Sequence, residues 1–222
     1  TLALDGDFTY VRRQLGLTRH ACDTLVVGSP FEYDRQVKVG VGRGILYDYR
    51  NPAAYYQQVF TQTEQLIRQN QGNTLVLFTS RSALRRAQQW FEARPLSHEF
   101  PLVFQGDTGT AATVARFRTL STSCLFGTAF WEGLDVVGDK LSAVVVTKLP
   151  FPAPDPLVEH ECAQVRAVGE DAYRTVILPR MLLRLKQGLG RLIRSECDRG
   201  RVVILDPRFT RQRLRWSDLL PF

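Results

Sequence analysis

Thr74 to Arg94 reads TLVLFTSRSALRRAQQWFEAR. Residues 74–79 are a short apolar run, which marks a strand buried on both faces. Residues 82–94 then read as a helix. The same rhythm continues downstream, with strands expected at 102–105, 123–126, 141–147 and 201–205, and helices at 108–118, 156–169 and 179–193. Upstream, 52–70 reads as a helix with Asn51 as N-cap, closed by the turn Asn70-Gln-Gly-Asn73. Val37, Val39 and Val41 alternate with Lys38 and Gly40, as in a half-buried strand. Residues 23–28 read as a further buried strand, and 8–15 as a short helix stopped by Gly16. Continuous apolar strands alternating with helices predict an α/β fold, a mostly parallel sheet with helices on both faces. The proline-rich loop 148–156 follows a strand end, the edge where open α/β sheets bind ligands.

The chain has 222 residues, 29 Lys and Arg against 22 Asp and Glu, and a formal charge of +7. A basic balance of this kind favours a polyanionic partner. Lysine occurs only four times, so arginine supplies nearly all the positive charge. Arginine forms bidentate pairs with phosphate, although a GC-rich genome raises its frequency too. Cys22, Cys124, Cys162 and Cys197 form no CxxC and no metal pattern, which predicts buried free thiols in a reducing cytoplasm. No apolar run approaches membrane-spanning length and no signal peptide is visible, so no membrane partner is expected. The absence of an initial methionine suggests a fragment.

Residues 179–194 read PRMLLRLKQGLGRLIR. Taken as one helix opened by Pro179, they put Arg180, Arg184, Gln187, Arg191 and Arg194 on one face. Leu182, Leu185, Leu189 and Leu192 form a second, buried stripe. Gly188 and Gly190 each cost about 1 kcal/mol in a helix interior, which suggests a close approach to the backbone there. Three segments fall at strand ends: Thr79-Ser-Arg-Ser82, whose hydroxyls and free N–H groups suit a phosphate; Phe126-Gly-Thr-Ala-Phe-Trp-Glu-Gly-Leu-Asp135; and the arginine helix with its exit through Ser195 to Gly200.

Gln187 to Arg194 resembles motif VI of superfamily 2 helicases, in particular the iron–sulfur-containing DinG and XPD-like branch. Phe130 to Asp135, with Gly138-Asp139, resembles that branch's motif V. Residues 73–82 resemble motif IV, Gln105-Gly106 the motif after it, and Thr1-Leu2 the tail of motif III. Lys148-Leu-Pro-Phe151 favours the bacterial DinG group with its YoaA members. The resemblance implies one RecA-like C-terminal helicase domain over 1–222, with 1–50 a lead-in after motif III and 51–222 the main body. No GxxxxGK[ST] and no Asp-Glu pair occur, so the P-loop half is absent.

The resemblance further implies half of an ATP-dependent DNA helicase of DNA repair. ATP and Mg²⁺ would be shared with the missing half, which would also carry the 4Fe-4S cluster. Arg191 and Arg194 would be arginine fingers on the γ-phosphate, with Gln187 positioning water or relaying contact between domains. Asp135, Gly133, Glu132 and Gly190 would border the nucleotide. Ser80, Arg81, Gln105 and Thr128 would contact the backbone of single-stranded or forked DNA, and Trp131 would stack on bases, whereas Phe130 reads as core. The alternative is a docking module. Asp218 to Phe222 resembles the tail of bacterial single-stranded-DNA-binding protein, which implies binding to the polymerase III chi subunit through Trp216 and Phe222. Leu219 and Leu220 read as sheet-packing residues.

Overall fold

A computed structural model describes residues 3–4, 6–17, 21–48, 50–106, 109–132, 140–216 and 219. Among these residues six strands form one sheet: β1 (Val37–Val41), β2 (Thr74–Leu77), β3 (Leu102–Phe104), β4 (Cys124–Gly127), β5 (Ala143–Val146) and β6 (Gly200–Ile204). Their order is β1-β6-β5-β2-β4-β3, and every pairing is parallel. The expected α/β architecture is therefore present. The lead-in is part of it, because β1 forms one edge of the sheet.

Side chains along β2 alternate between two cores, as the two-residue period of a strand requires. Leu75 and Leu77 join Val144, Val146, Val202 and Ile204 in one core. That face is covered by α8 (Leu178–Leu189) through Met181, Leu182, Leu185 and Leu189, and by Phe117 of α6 (Thr110–Thr119). Val76 and Phe78 join Val145 and Val203 in the opposite core. There α3 (Pro52–Gln69) contributes Tyr55, Val59, Phe60 and Ile67, and α4 (Arg81–Glu92) contributes Ala83, Leu84, Ala87 and Phe91. Asn51 caps α3 by accepting a hydrogen bond from the Ala54 N–H at 3.2 Å, as its sequence position predicts. A smaller cluster joins α7 (Pro156–Ala167) to Ala172 and Val176.

Two expectations are corrected. Residues 23–28 form no strand: Leu25, Val26 and Val27 are 80%, 62% and 77% exposed. An apolar run becomes a strand only where a sheet edge is offered, and the position beside β6 belongs to β1. The arginine stretch is also not one helix from 179 to 194. Helical structure begins upstream, with a π-helical turn at Tyr173–Ile177 that runs into α8. There the Leu178 N–H donates to the Tyr173 carbonyl, five residues back. Pro179 thus lies inside a continuous helix, and a π turn is a known way to absorb its missing donor and ring clash. The helix stops at Leu189, with Gly190 as its cap. Arg191 to Arg194 form the loop that follows.

Candidate nucleotide and nucleic-acid site

The chain leaves β2 toward β3 on one side and leaves β4 toward β5 on the other, so the topological switch lies over the C-terminal ends of the central strands. Trp131 sits at that point. Its indole N–H donates to the Phe78 carbonyl at the end of β2 at 2.8 Å. A Cβ at Gly188 of α8 would lie 2.7 Å from its Cε3 and 3.1 Å from Leu77 Cδ1. The close approach expected at this glycine is therefore made by an indole of the chain itself. Arg184 lies over the same ring, 5.8 Å from its centroid. Phe78 after β2, the 126–132 turn and residues 184–188 of α8 are thus joined through one side chain. Trp131 is only 1% exposed, so it offers no face to a base, and its expected stacking role is withdrawn. Phe130 is core, as expected.

A second junction ties residue 105 to the same turn. The Gln105 carboxamide oxygen accepts from the N–H groups of Thr128 at 2.8 Å and Ala129 at 3.0 Å, and lies 3.3 Å from the Thr128 hydroxyl. Beside it is a cleft of about 210 Å³ lined by Arg81, Arg85, Gln88, Gln105, Gly106 and Thr128. Arg81 and Arg85 are exposed, one turn apart on α4. Ser80 is occupied differently: its hydroxyl caps α4 by accepting from the Ala83 N–H at 3.2 Å. Of the residues expected to contact DNA, Arg81, Gln105 and Thr128 share the cleft, joined by Arg85 and Gln88, which the sequence reading missed. Their i, i+4, i+7 spacing with Arg81 was the available signal.

Arg191 and Arg194 flank the buried pair Leu192 and Ile193 in the loop after α8, and both are half-buried. Gln187 is half-buried on the last turn of α8, and Gly190 is exposed. The loop is held from below. The Asp198 carboxylate accepts from the Arg194 N–H at 2.8 Å and the Ser195 N–H at 2.9 Å. Burial alone would raise the Asp198 carboxyl, but these hydrogen bonds and the Arg194 charge outweigh it and hold it below its ordinary value. Gln36, on the short helix α2 (Tyr33–Gln36), is 3% exposed. It donates to the carbonyls of Ser195 at 2.9 Å, Glu196 at 3.2 Å and Asp198 at 3.0 Å. Neither residue is visible as a site residue in the sequence, because Gln36 lies far from the loop it holds. Arg180, on the other hand, is bound internally to Tyr10 at 3.0 Å and Glu161 at 3.4 Å.

Glu132 is exposed at the margin of the switch, while Gly133 and Asp135 lie outside the described residues. Phe222 and Leu220 also lie outside them. Trp216 is half-buried with its ring 4.9 Å from that of Phe209, and Leu219 is buried in the core. Among the described residues no three His, Cys, Asp or Glu side chains converge as metal ligands. Cys124 and Cys162 are buried, and burial pushes the Cys124 thiol up to about 12. Cys22 and Cys197 are exposed, against the expectation that all four are buried. No described helix is long and apolar enough to cross a membrane.

Residues 63–220 match the family model described as helicase C-terminal domain. The chain belongs to that family. This helicase C-terminal domain is 35% identical to the 3′-5′ exonuclease DinG of Bacillus subtilis, over 94% of the chain and 23% of that protein. It is 35% identical to the ATP-dependent DNA helicase YoaA of Escherichia coli, over 94% of the chain and 32% of the relative. It is 36% identical to the ATP-dependent helicase DinG of Mycobacterium tuberculosis, over 96% of the chain and 32% of the relative. The chain thus spans about a quarter to a third of these relatives. An apo structure of XPD shares its fold, with a TM-score of 0.63 at 18% identity over 94% of this chain and 40% of that one. A second XPD helicase structure gives 0.61 at 19% identity, over 78% and 32%.

Proposed function

We propose that this domain is the second motor half of an ATP-dependent DNA helicase acting in DNA repair. The observation that carries the reading is that Phe78 after β2, the 126–132 turn and Arg184 and Gly188 of α8 meet at Trp131, at the sheet edge where α/β proteins bind ligands. In this reading Arg191 and Arg194 reach the γ-phosphate of ATP bound mainly by a P-loop domain of the same protein. Guanidinium groups there stabilise charge developing on the transferring phosphoryl oxygens. Arginine fingers need a fixed backbone, and the clamp of Asp198 and Gln36 supplies one. Gln187 would position water or relay contact between the domains. Glu132, Gly133, Asp135 and Gly190 would border the nucleotide. Mg²⁺ and a 4Fe-4S cluster would be held mainly by the rest of the protein.

DNA would pass over the cleft at α4. Arg81, Arg85 and the Thr128 hydroxyl suit phosphate, a contact that positions the strand without reading sequence. Gln105 contributes through its amide nitrogen, since its oxygen is held by Thr128 and Ala129. The test is kinetic. In the full-length protein, Arg191→Ala or Arg194→Ala should lower ATPase kcat by about 10³-fold, with nucleotide affinity changed much less. Normal turnover in both variants would remove the arginine-finger assignment.

A further inference from the structure

A groove lined by none of the residues of this site lies elsewhere on the domain. It lies between the β1 edge of the sheet and α3, encloses about 990 Å³, and is lined by Lys38, Val39, Val41, Arg43, Arg201 and a row of α3 glutamines. Three features define what it would hold. The first is the strand edge. β1 pairs only with β6 among the described residues, and the Gly42 N–H donates to the Ile204 carbonyl at 2.8 Å. In a parallel strand each residue points both backbone groups to one side, and successive residues alternate. Lys38 and Gly40 therefore face β6, and Val39 and Val41 direct their N–H and C=O groups outward. These two valines are 39% and 41% exposed.

The second feature is charge. Among the described residues, three cations line the groove and no carboxylate does. Among the described residues the Arg201 guanidinium bonds the neutral Gln69 carboxamide, at 3.1 Å, and no carboxylate. The third is a rehearsal of strand pairing by the chain itself. Just beyond β1, the Gln62 carboxamide accepts from the Arg43 N–H at 3.2 Å and donates to the Arg43 carbonyl at 2.6 Å. The Gln58 oxygen accepts from the Leu46 N–H at 3.1 Å. Side-chain amides stand there where the backbone of a neighbouring strand would stand.

We propose that β1 receives an extended acidic segment of a partner protein as an added strand. The backbone of that segment would pair with Val39 and Val41, its apolar residues would lie beside these valines, and its carboxylates would face Lys38, Arg43 and Arg201. Strand addition of this kind takes its affinity from main-chain hydrogen bonds and its specificity from alternate side chains. A nucleic acid strand satisfies the charges but offers no amide partners to the strand edge and leaves both valines uncovered. A lysine on an edge strand commonly serves only to repel other strands. Here two further cations surround the same groove, which turns that repulsion into selection for an acidic strand. The inference does not depend on the helicase reading.

The test is a fluorescence anisotropy titration of the 222-residue chain with a blocked heptapeptide alternating Glu and Val. The peptide should bind, and its Lys–Val counterpart should bind about tenfold more weakly or not at all. Methylating alternate peptide nitrogens should also cost about tenfold, because it removes strand donors without touching the protein. Val39→Pro, which deletes an outward N–H on an edge strand, should do the same with an unchanged circular dichroism spectrum. The double reversal Lys38→Glu with Arg201→Glu should transfer the preference to the Lys–Val peptide. Equal binding of the methylated and unmethylated peptides would overturn the proposal. So would displacement of the peptide by a short oligothymidylate whose own binding is abolished by the double reversal, which would assign the groove to nucleic acid.

Discussion

Trp131 joins three segments of the domain, and Gly188 exists to admit it. In a helix interior Ala is favoured over Gly by about 1 kcal/mol. A Cβ at residue 188 would meet the indole at 2.7 Å, and that ring is buried in the same core as Leu77 and hydrogen-bonded to the Phe78 carbonyl, so it cannot swing away. Gly188→Ala should therefore destabilise the domain by about 1–3 kcal/mol in urea unfolding, the opposite sign to helix propensity. A stabilised variant would mean that the indole yields. Trp131→Ala should cost about 3–5 kcal/mol, as truncation of a buried aromatic does, with the loss seen in stability before it is seen in DNA affinity. Asp198 supplies a pH signature. Its carboxyl lies below the ordinary 3.8, so its stabilisation is complete above that value and is lost as pH falls through the lower folded value. Asp198→Asn should flatten that part of the acid unfolding curve, and an unaltered curve would remove Asp198 from the clamp.

α8 ends before the last two arginines of its stretch. Its leucine stripe is buried as its spacing predicts at Leu182, Leu185 and Leu189, at 9% exposure or less, while Leu192 is buried on the loop beyond. Its arginine row is not one face, because the helix closes at Gly190 and the last two arginines ride on the following loop. Gly188 and Gly190 weaken the last turn, and burial of both Leu192 and Ile193, adjacent in sequence, suits a loop better than a helix. What replaces the helical hydrogen bonds is the clamp from α2 and Asp198. Gln36→Ala removes three of its hydrogen bonds and leaves three carbonyls to find other partners. The expected cost is about 1–3 kcal/mol, with faster amide exchange confined to residues 194–198. Exchange unchanged in that loop would show that Asp198 alone holds it.

At the scale of the molecule, the domain presents one edge of a parallel sheet carrying cationic and hydroxyl groups, beneath a formal charge of +7. If half of each ligand site lies in another domain, the isolated chain should hydrolyse no ATP. It should bind single-stranded DNA weakly, with affinity falling steeply as salt rises, because counterion release supplies most of the binding. Tight binding that persists at high salt would contradict a divided site.

The sequence by itself determined the α/β class, the central strands, the leucine stripe and the identity of the family. Those features are local: apolar runs, helical spacing and motif order are written in consecutive residues. Only the tertiary structure decided that Trp131 is a packing element and not a stacking platform. It also decided that residues 23–28 stay outside the sheet that residues 37–41 enter as expected, and that Gln36 holds a loop more than 150 positions away in the chain. Each of these outcomes turns on which neighbour a segment meets. An indole in a turn is equally apolar whether buried or exposed, and an apolar run is equally strand-like beside an occupied or an open edge. The choice is made when one segment takes the sheet position or the cavity that another would have filled.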